Sequence, residues 1–596
     1  KEVNLGADFE HMIHFDYIRD QGKRHRHDLN MMVRGQFFES LCVLYHETGD
    51  RAVLDGFEEI LKKFFETYPL QVMDTSVHTG RFQLDEDRDV MSVGWLVVVL
   101  ISLFYTRVPY EIHPDAAFEM IKRIWFLGIQ FRRFDTDGYK AYNHHMWERG
   151  LVPFLLGTLL PEIPDFAVIK SHGAAIVCRH IKEDFNEYGG YNEHSMAYWA
   201  GAAVGEMLYR GVCIAKLNRE PMLDEDATKR LTNTFHVLVQ LAAPGKRYPS
   251  IGDNGGPMID PILQLGVRML DDPYCKELLE VRNGNKKESC SLPLDYCNQE
   301  TGFVCGKSDY SDRGTYFVMS AKTNCGYSGH NHMDMLSLCV TFRGEHIFGE
   351  PYSDALYHSI KMGSDLRGYM YNMESHNSVL AYGMPILPNQ VYANKWGVYR
   401  PDSPISETFS TEEGMYADAY HNAYTFCCHR RKVLFHRKKG LMICDQVERG
   451  NRLLEAHIAR WHLQPQTNCK KLAEDAILIE KGRVKVLCLC LGADHIKLWK
   501  NEKLYPEIIS KKEELCDIMD ISFQAPEDKR NDIMTVSLQM LMLDVSDMDL
   551  EHFLKEEHME QLRKKMRKIE GMLNTPQALE EFAKIDQFTV GKEANG

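Results

Sequence analysis

The chain has 596 residues, 44% of them hydrophobic and 26% charged, the balance of a soluble globular protein with more than one domain. Its formal net charge of −15 leaves no basic surplus for phosphate, which excludes nucleic acid as a general partner. No apolar run reaches the roughly 18 residues that a membrane-crossing helix needs, so no membrane span is expected. The 16 cysteines include no CxxC pair and are expected to be mostly reduced core residues.

Residues 1–285 read as helix. Apolar residues recur at three- and four-residue steps in "LNMMVRGQFFESLCVLYHETGD", "RAVLDGFEEILKKFFETY", "VMSVGWLVVVLISLFY" and five further stretches. Short turns such as "HETGD" join them, which predicts antiparallel helical hairpins stacked as an α/α toroid or solenoid. Residues 286–300 are polar and aperiodic and read as a linker. From 301 to 545 short alternating runs such as "RGTYFVMSAKT", "LSLCVTFRG" and "DAILIEKGRVKVLCLCLG" predict an antiparallel β-sandwich. Residues 546–596 return to strongly mixed charge, a solvated helix or an extension packed on the outside. The fold class is therefore α+β and multidomain.

Three stretches carry candidate chemistry. In "GHNHMDMLSL", His330 and His332 would share one face if the segment is a strand, because side chains alternate. Glu350 in "GEHIFGEP" and His376 in "MESHNSVLAYG" follow, and two histidines with one carboxylate suit a zinc-type divalent ion. In "AYNHHMWERG", Asn143, His144 and His145 open a predicted helix, where Asn143 could equally be an N-cap. In "FNEYGGYNEHSMAYWAGA", a Gly-Gly turn precedes Glu193 and Tyr198, which could also belong to an aromatic packing stripe. Basic residues that could line an anionic cleft are Lys23, Arg24 and Arg26 with His25 and His27, and further along Arg88 and Arg367. Asp253 in "IGDNGG" reads as a turn residue. Phosphate-loop, dinucleotide and GxSxG nucleophile patterns are absent.

In order and spacing, "GHNHMDMLSL", "RGEHIFGEP" and "SHNSVLAYG" resemble the heparinase II/III-like polysaccharide lyases. That family's pattern is roughly GHxHxDxLSF, then Gly with Asp-Pro six residues on, then HNT or HNS. Gly344 to Glu350 keeps the step, with Glu in place of Asp. "YPSIGDNGG", "HRRKVLFHRKKGLMICDQVE" and "ARWHLQP" are also family-like. The resemblance implies an α/α toroid followed by a β-sandwich, with the site at their seam. It implies β-elimination on a uronic-acid-containing polysaccharide, with Asn143 and His144 (or His145) on the substrate carboxylate and Tyr198 catalytic. His330 would point to substrate, and His332, Glu350 and His376 would hold a structural divalent ion, zinc foremost. Glu193, His145, Arg88 and Arg367 are the further substrate-binding candidates. An acidic polysaccharide or oligosaccharide is the expected partner, a homodimer is one assembly the resemblance allows, and a periplasmic or secreted location is implied. The N-terminal "KEVNLGADFE" has no apolar signal core.

The residue types suit the chemistry. Removing the C5 proton of a uronate builds a second negative charge beside the carboxylate, so donors must meet that carboxylate. A base must reach C5 and an acid must reach the leaving O4. Tyr198 is the leading acid and could also be the base; His330 is the other base. A non-catalytic carbohydrate-binding protein on the same scaffold is the alternative. A hydrolase would need two flanking carboxylates, for which only Glu193 and Asp253 are at hand.

Overall fold

The computed structural model describes residues 33–70, 90–134, 142–253, 255–284, 291–322, 330–350, 372–382, 403–424, 427–449, 456–499, 517–525 and 534–588. Arg88, Arg367 and the basic residues 23–27 lie outside these. The chain forms two compact units. The first runs to Asp184 and includes Glu206–Lys229; the second comprises Phe185–Gly205 and the chain from Arg230 onward.

The first unit is helical. Phe37–Thr48 ends at Gly49, which takes the left-handed conformation (φ +64°) of a helix C-cap. Asp50 then caps Arg51–Thr67 by accepting a hydrogen bond from the Ala52 amide. This is the helical hairpin expected from "HETGD". Its apolar stripe, Leu54, Phe57, Leu61 and Phe64, is buried, and Phe38 packs edge-on to Phe57 and Phe64. Val90–Phe104 is helix too, and the described residues' longest helices are too short or too polar to cross a membrane.

The second unit carries two antiparallel sheets. One runs in the order Asp295–Asn298, Phe303–Lys307, Tyr316–Ser320, Leu338–Phe342, Glu345–Phe348, Ala456–Leu463, Asp517–Phe523 and His495–Trp499, with Val379–Tyr382 pairing to Ala456–Leu463. The other runs Asn468–Ala473, Ala476–Lys481, Val484–Leu491, Thr535–Asp544, Gly440–Arg449, Cys427–His436, Gly414–His421 and Ile405–Ser410. The order expected from the sequence, helices first and antiparallel sheets second, is the one observed. Asp295–Asn298 falls in the stretch read as linker. It is a short, partly exposed edge strand, so it lacks the apolar alternation that marks a half-buried strand.

One core lies between the sheets: Val304, Phe317 and Met319 from the first meet Met415, Val433, Phe435 and Ile443 from the second. The outer face of the second sheet, including Leu434, Met442, Leu541 and Leu543, is also apolar. The helices Glu556–Glu570 and Gln577–Ala583 cover it with Leu562, Met566, Ile569 and Phe582. Arg563 fixes this cover through a two-pronged bond to Asp475. The charged C-terminal stretch is thus an extension packed on the outside.

Between the sheets sits a buried charge. Arg431 is fully buried, and its Nε and Nη2 lie 2.7 and 2.9 Å from the Asp445 carboxylate. Its Nη1 donates to the carbonyls of Leu336 and Asn377, each at 2.6 Å. Leu336 needs this hold, because it has φ +59°, a left-handed conformation costing a residue with a side chain about 1–2 kcal/mol. Burial works to raise the Asp445 carboxyl, but the Arg431 charge and the His429 hydrogen bond hold it well below the usual carboxylate range.

Many histidines are buried in this unit. Burial pushes His194 down to about 3 and His436 down to about 4. It also lowers His332, His421, His429 and His462.

Two outcomes follow from this interior. Arg431→Ala should cost about 3–5 kcal/mol in urea unfolding, because it strands the Asp445 charge in the core; a cost under about 1 kcal/mol would show the clamp to be dispensable. The buried rings are neutral in the folded chain, whereas the unfolded chain protonates them below about pH 6.5. Their contribution is fully present above that pH and is lost as pH falls toward the folded values, by about 1.4 kcal/mol per pH unit for each ring. The thermal midpoint should therefore fall steadily from roughly pH 7 to roughly pH 5, with proton uptake on unfolding; a flat midpoint would contradict it.

Candidate functional site

The site builds up from three segments of the second unit. The first opens at the Gly-Gly turn. Gly189 has φ +91°, and a Cβ there would lie 2.4 Å from the Asn233 backbone, so only glycine fits. Asn186 accepts from the Tyr188 and Gly190 amides, closing the turn. Ser195 then accepts from the Tyr198 amide at 3.4 Å and donates to the Asp253 carbonyl at 2.7 Å. Tyr198 thus enters a helix, Ala197–Leu208, whose hydrogen bonds have the wider π spacing, a rare geometry common at functional sites. The second segment, Ile251–Asp253, joins the first through the Met196 amide on the Ile251 carbonyl. The third is His330–Ser337. It meets the first where Asn331 Oδ1 accepts the His194 amide, and the second where the Asp253 amide donates to the His330 carbonyl.

His330–Ser337 is not a strand; the strand begins at Leu338. The two histidines converge for a different reason. Asp253, only 1% exposed, accepts from His330 Nδ1 at 2.9 Å and from His332 Nε2 at 2.7 Å. Burial works to raise the Asp253 carboxyl, but those two hydrogen bonds hold it well below the usual carboxylate range. With Nδ1 held by a carboxylate, Nε2 is the basic nitrogen of a neutral His330 ring. The Tyr198 ring stacks on the His330 ring, centroids 3.5 Å apart and planes within 14°. His330 is about a quarter exposed, while His332 is fully buried. Behind them Lys322 and Asp334 form a buried ion pair, 2.5 Å apart.

Glu350 and His376 lie deeper. His376 Nδ1 is 2.5 Å from Glu350 Oε2, and Ser337 donates to Glu350 Oε1 at 3.0 Å. The His332 and His376 rings are 5.3 Å apart. In donor chemistry His332, Glu350 and His376 suit a divalent ion, and the buried His376 Nε2 has no hydrogen-bond partner. In arrangement they do not converge: each histidine gives a ring nitrogen to a carboxylate, and no group of three or more His, Cys, Asp or Glu among the described residues is disposed to hold a metal.

The other candidates are placed as follows. Glu193 is buried beside the turn of the second unit. Asn143, His144 and His145 belong to the first unit, in the short helix Tyr142–His145, which runs directly into a π-helical turn, Met146–Leu151. His144 is partly exposed, with Nδ1 3.6 Å from Glu148 Oε1, and His145 is buried. Trp147 is core, stacked on Trp95. Asp253, expected from the sequence as a turn residue, instead joins the two histidines. "IGD" offered only the weak signal that an aspartate in a glycine-rich loop is free to point inward.

Residues 299–512 match the family described as heparinase II/III-like, C-terminal, and the resemblance read from the sequence holds over this region. No curated protein matches the chain by sequence. Among solved structures it is similar to a heparinase III, with TM-score 0.68 and 14% identity over 86% of this chain and 77% of the other. It is also similar to a heparinase III from the BT4657 gene (TM-score 0.64, 15% identity, 87% and 78% covered). A mutant heparan sulfate lyase from Pedobacter heparinus gives TM-score 0.61 and 16% identity, with 86% and 76% covered. At these identities the likeness establishes the fold.

Proposed function

We propose that the chain is a polysaccharide lyase that cleaves a uronic-acid-containing glycan by β-elimination. The observation that carries this reading is the Asp253–His330–Tyr198 arrangement. A carboxylate fixes the imidazole by its Nδ1, and a phenol lies flat against the same ring. In this reading His330 Nε2 takes the C5 proton and the Tyr198 hydroxyl protonates the leaving O4, which leaves a double bond between C4 and C5. By the sequence resemblance alone, Asn143 and His144 are the candidates to donate to the uronate carboxylate as its charge builds. The likeness to heparinase III and heparan sulfate lyase structures supports a glycosaminoglycan-type substrate.

The residues named for a divalent ion take no part in these steps. In the arrangement observed they lie in two buried His–carboxylate pairs, His332 with Asp253 and His376 with Glu350. Hydrolysis fits poorly, because Asp253 gives both its oxygens to histidines and Glu193 is buried.

A panel of uronate polysaccharides and their oligosaccharides, followed by ultraviolet absorbance, tests the reading. At least one should give the conjugated product. Tyr198→Phe and His330→Ala should each lower kcat by about 100- to 10,000-fold. Binding to a uronate chain without any rise in absorbance would make this a carbohydrate-binding protein on the same scaffold. A rise that survives both substitutions would place the chemistry on other residues.

A further inference from the structure

A second line of buried polar groups lies in the first unit. Asp184, His180 and His145 are 6%, 4% and 4% exposed. His180 Nδ1 is 2.6 Å from Asp184 Oδ2, and His180 Nε2 is 2.8 Å from His145 Nδ1. Asp184 stands one turn beyond His180 at the end of the helix Pro164–Asp184. His145 is the last residue before the π-helical turn. Glycines let these two elements meet. A Cβ on Gly173 would lie 2.6 Å from the Gly150 carbonyl oxygen, and one on Gly150 would lie 2.7 Å from Val177 Cγ2. Side chains at either place would hold the backbones apart and pull the rings out of reach.

For neutral rings beside an ionised carboxylate, the order of donors along the line is set. An ionised carboxylate only accepts, so His180 carries its proton on Nδ1. The neutral ring then accepts at Nε2, so His145 must carry its own proton on Nδ1. Its Nε2 is left as a lone pair, which accepts hydrogen bonds and repels a carboxylate. The adjacent His144 is under no such constraint: it is partly exposed and has Glu148 beside it.

We infer that Asp184 and His180 are positioning residues that lock His145 in its Nδ1–H form and thereby assign the two adjacent histidines different tasks. His144 is the donor to an anionic substrate group. His145 is a fixed support that holds the Asn143–His144 segment. The substrate half of this inference rests on the lyase reading; the tautomer half does not.

The test is imidazole nitrogen NMR on the full chain with labelled histidine, the signals being assigned by His145→Gln and His180→Gln. The wild type should show both rings protonated at Nδ1. In Asp184→Asn the amide can donate to His180 Nδ1, so both rings should switch to Nε2–H. With an active substrate in hand, kcat/KM of that variant should fall by about 10- to 100-fold, as when a partner orienting a histidine is removed. A wild-type His145 protonated at Nε2 overturns the proposal without reference to any variant. So does a folded Asp184→Asn that leaves both tautomers and kcat/KM unchanged. If the wild type turns over no uronate, the lyase reading fails, and the resonances alone decide whether the line of groups sets the tautomer.

Discussion

The site depends on one buried guanidinium. Arg431 comes from the second sheet, yet it holds the carbonyl ends of two segments next to the first sheet. One carbonyl is that of Leu336, at the end of the run bearing His330 and His332; the other is that of Asn377, next to His376. Burying a charge this deeply is costly unless it is paired and most of its donors are used. Asp445 takes two of the donors and the two carbonyls take the third nitrogen, so the cost is met by fixing irregular backbone. That hold keeps Leu336 at its strained positive φ, just ahead of the strand that begins at Leu338.

With the loops fixed, a second carboxylate does the chemical positioning. Asp253 stands between His330 and His332 and bonds both. A separate group of hydrogen bonds joins His376 to Glu350, Glu350 to Ser337, Ser337 to the Asn377 amide, and the Asn377 carbonyl to Arg431. The rings are thereby oriented in tautomer as well as in place. The helical unit repeats the device with Asp184, His180 and His145. Both candidate segments, Asn143–His145 and the one bearing Tyr198, lie at π-helical turns, where a widened hydrogen-bond spacing re-aims side chains.

The sequence made some of this legible. The helical hairpin at Gly49 and the strand beginning at Leu338 could be read from periodicity and turn residues, while His330, Glu350 and His376 were singled out by motif spacing. What stayed hidden was long-range and polar. Asp253 lies far from His330 in the chain, and nothing local distinguishes an aspartate that closes a turn from one that bonds two distant histidines. Arg431 sits in a run of basic residues that reads as a solvated strand, and its burial is visible only once both sheets are in place. The alternation of Cys427–His436 is blurred as well, because the C-terminal helices cover the face that would otherwise be wet.

The central claim is that a proton leaves C5 of a uronate. The most direct test is mass spectrometry of the products from a C5-deuterated uronate oligosaccharide turned over in heavy-oxygen water. Elimination predicts that the newly formed unsaturated end has lost its deuterium and has taken up no heavy oxygen. Products that keep the deuterium and gain heavy oxygen would mean hydrolysis, and would contradict the account of His330 and Tyr198.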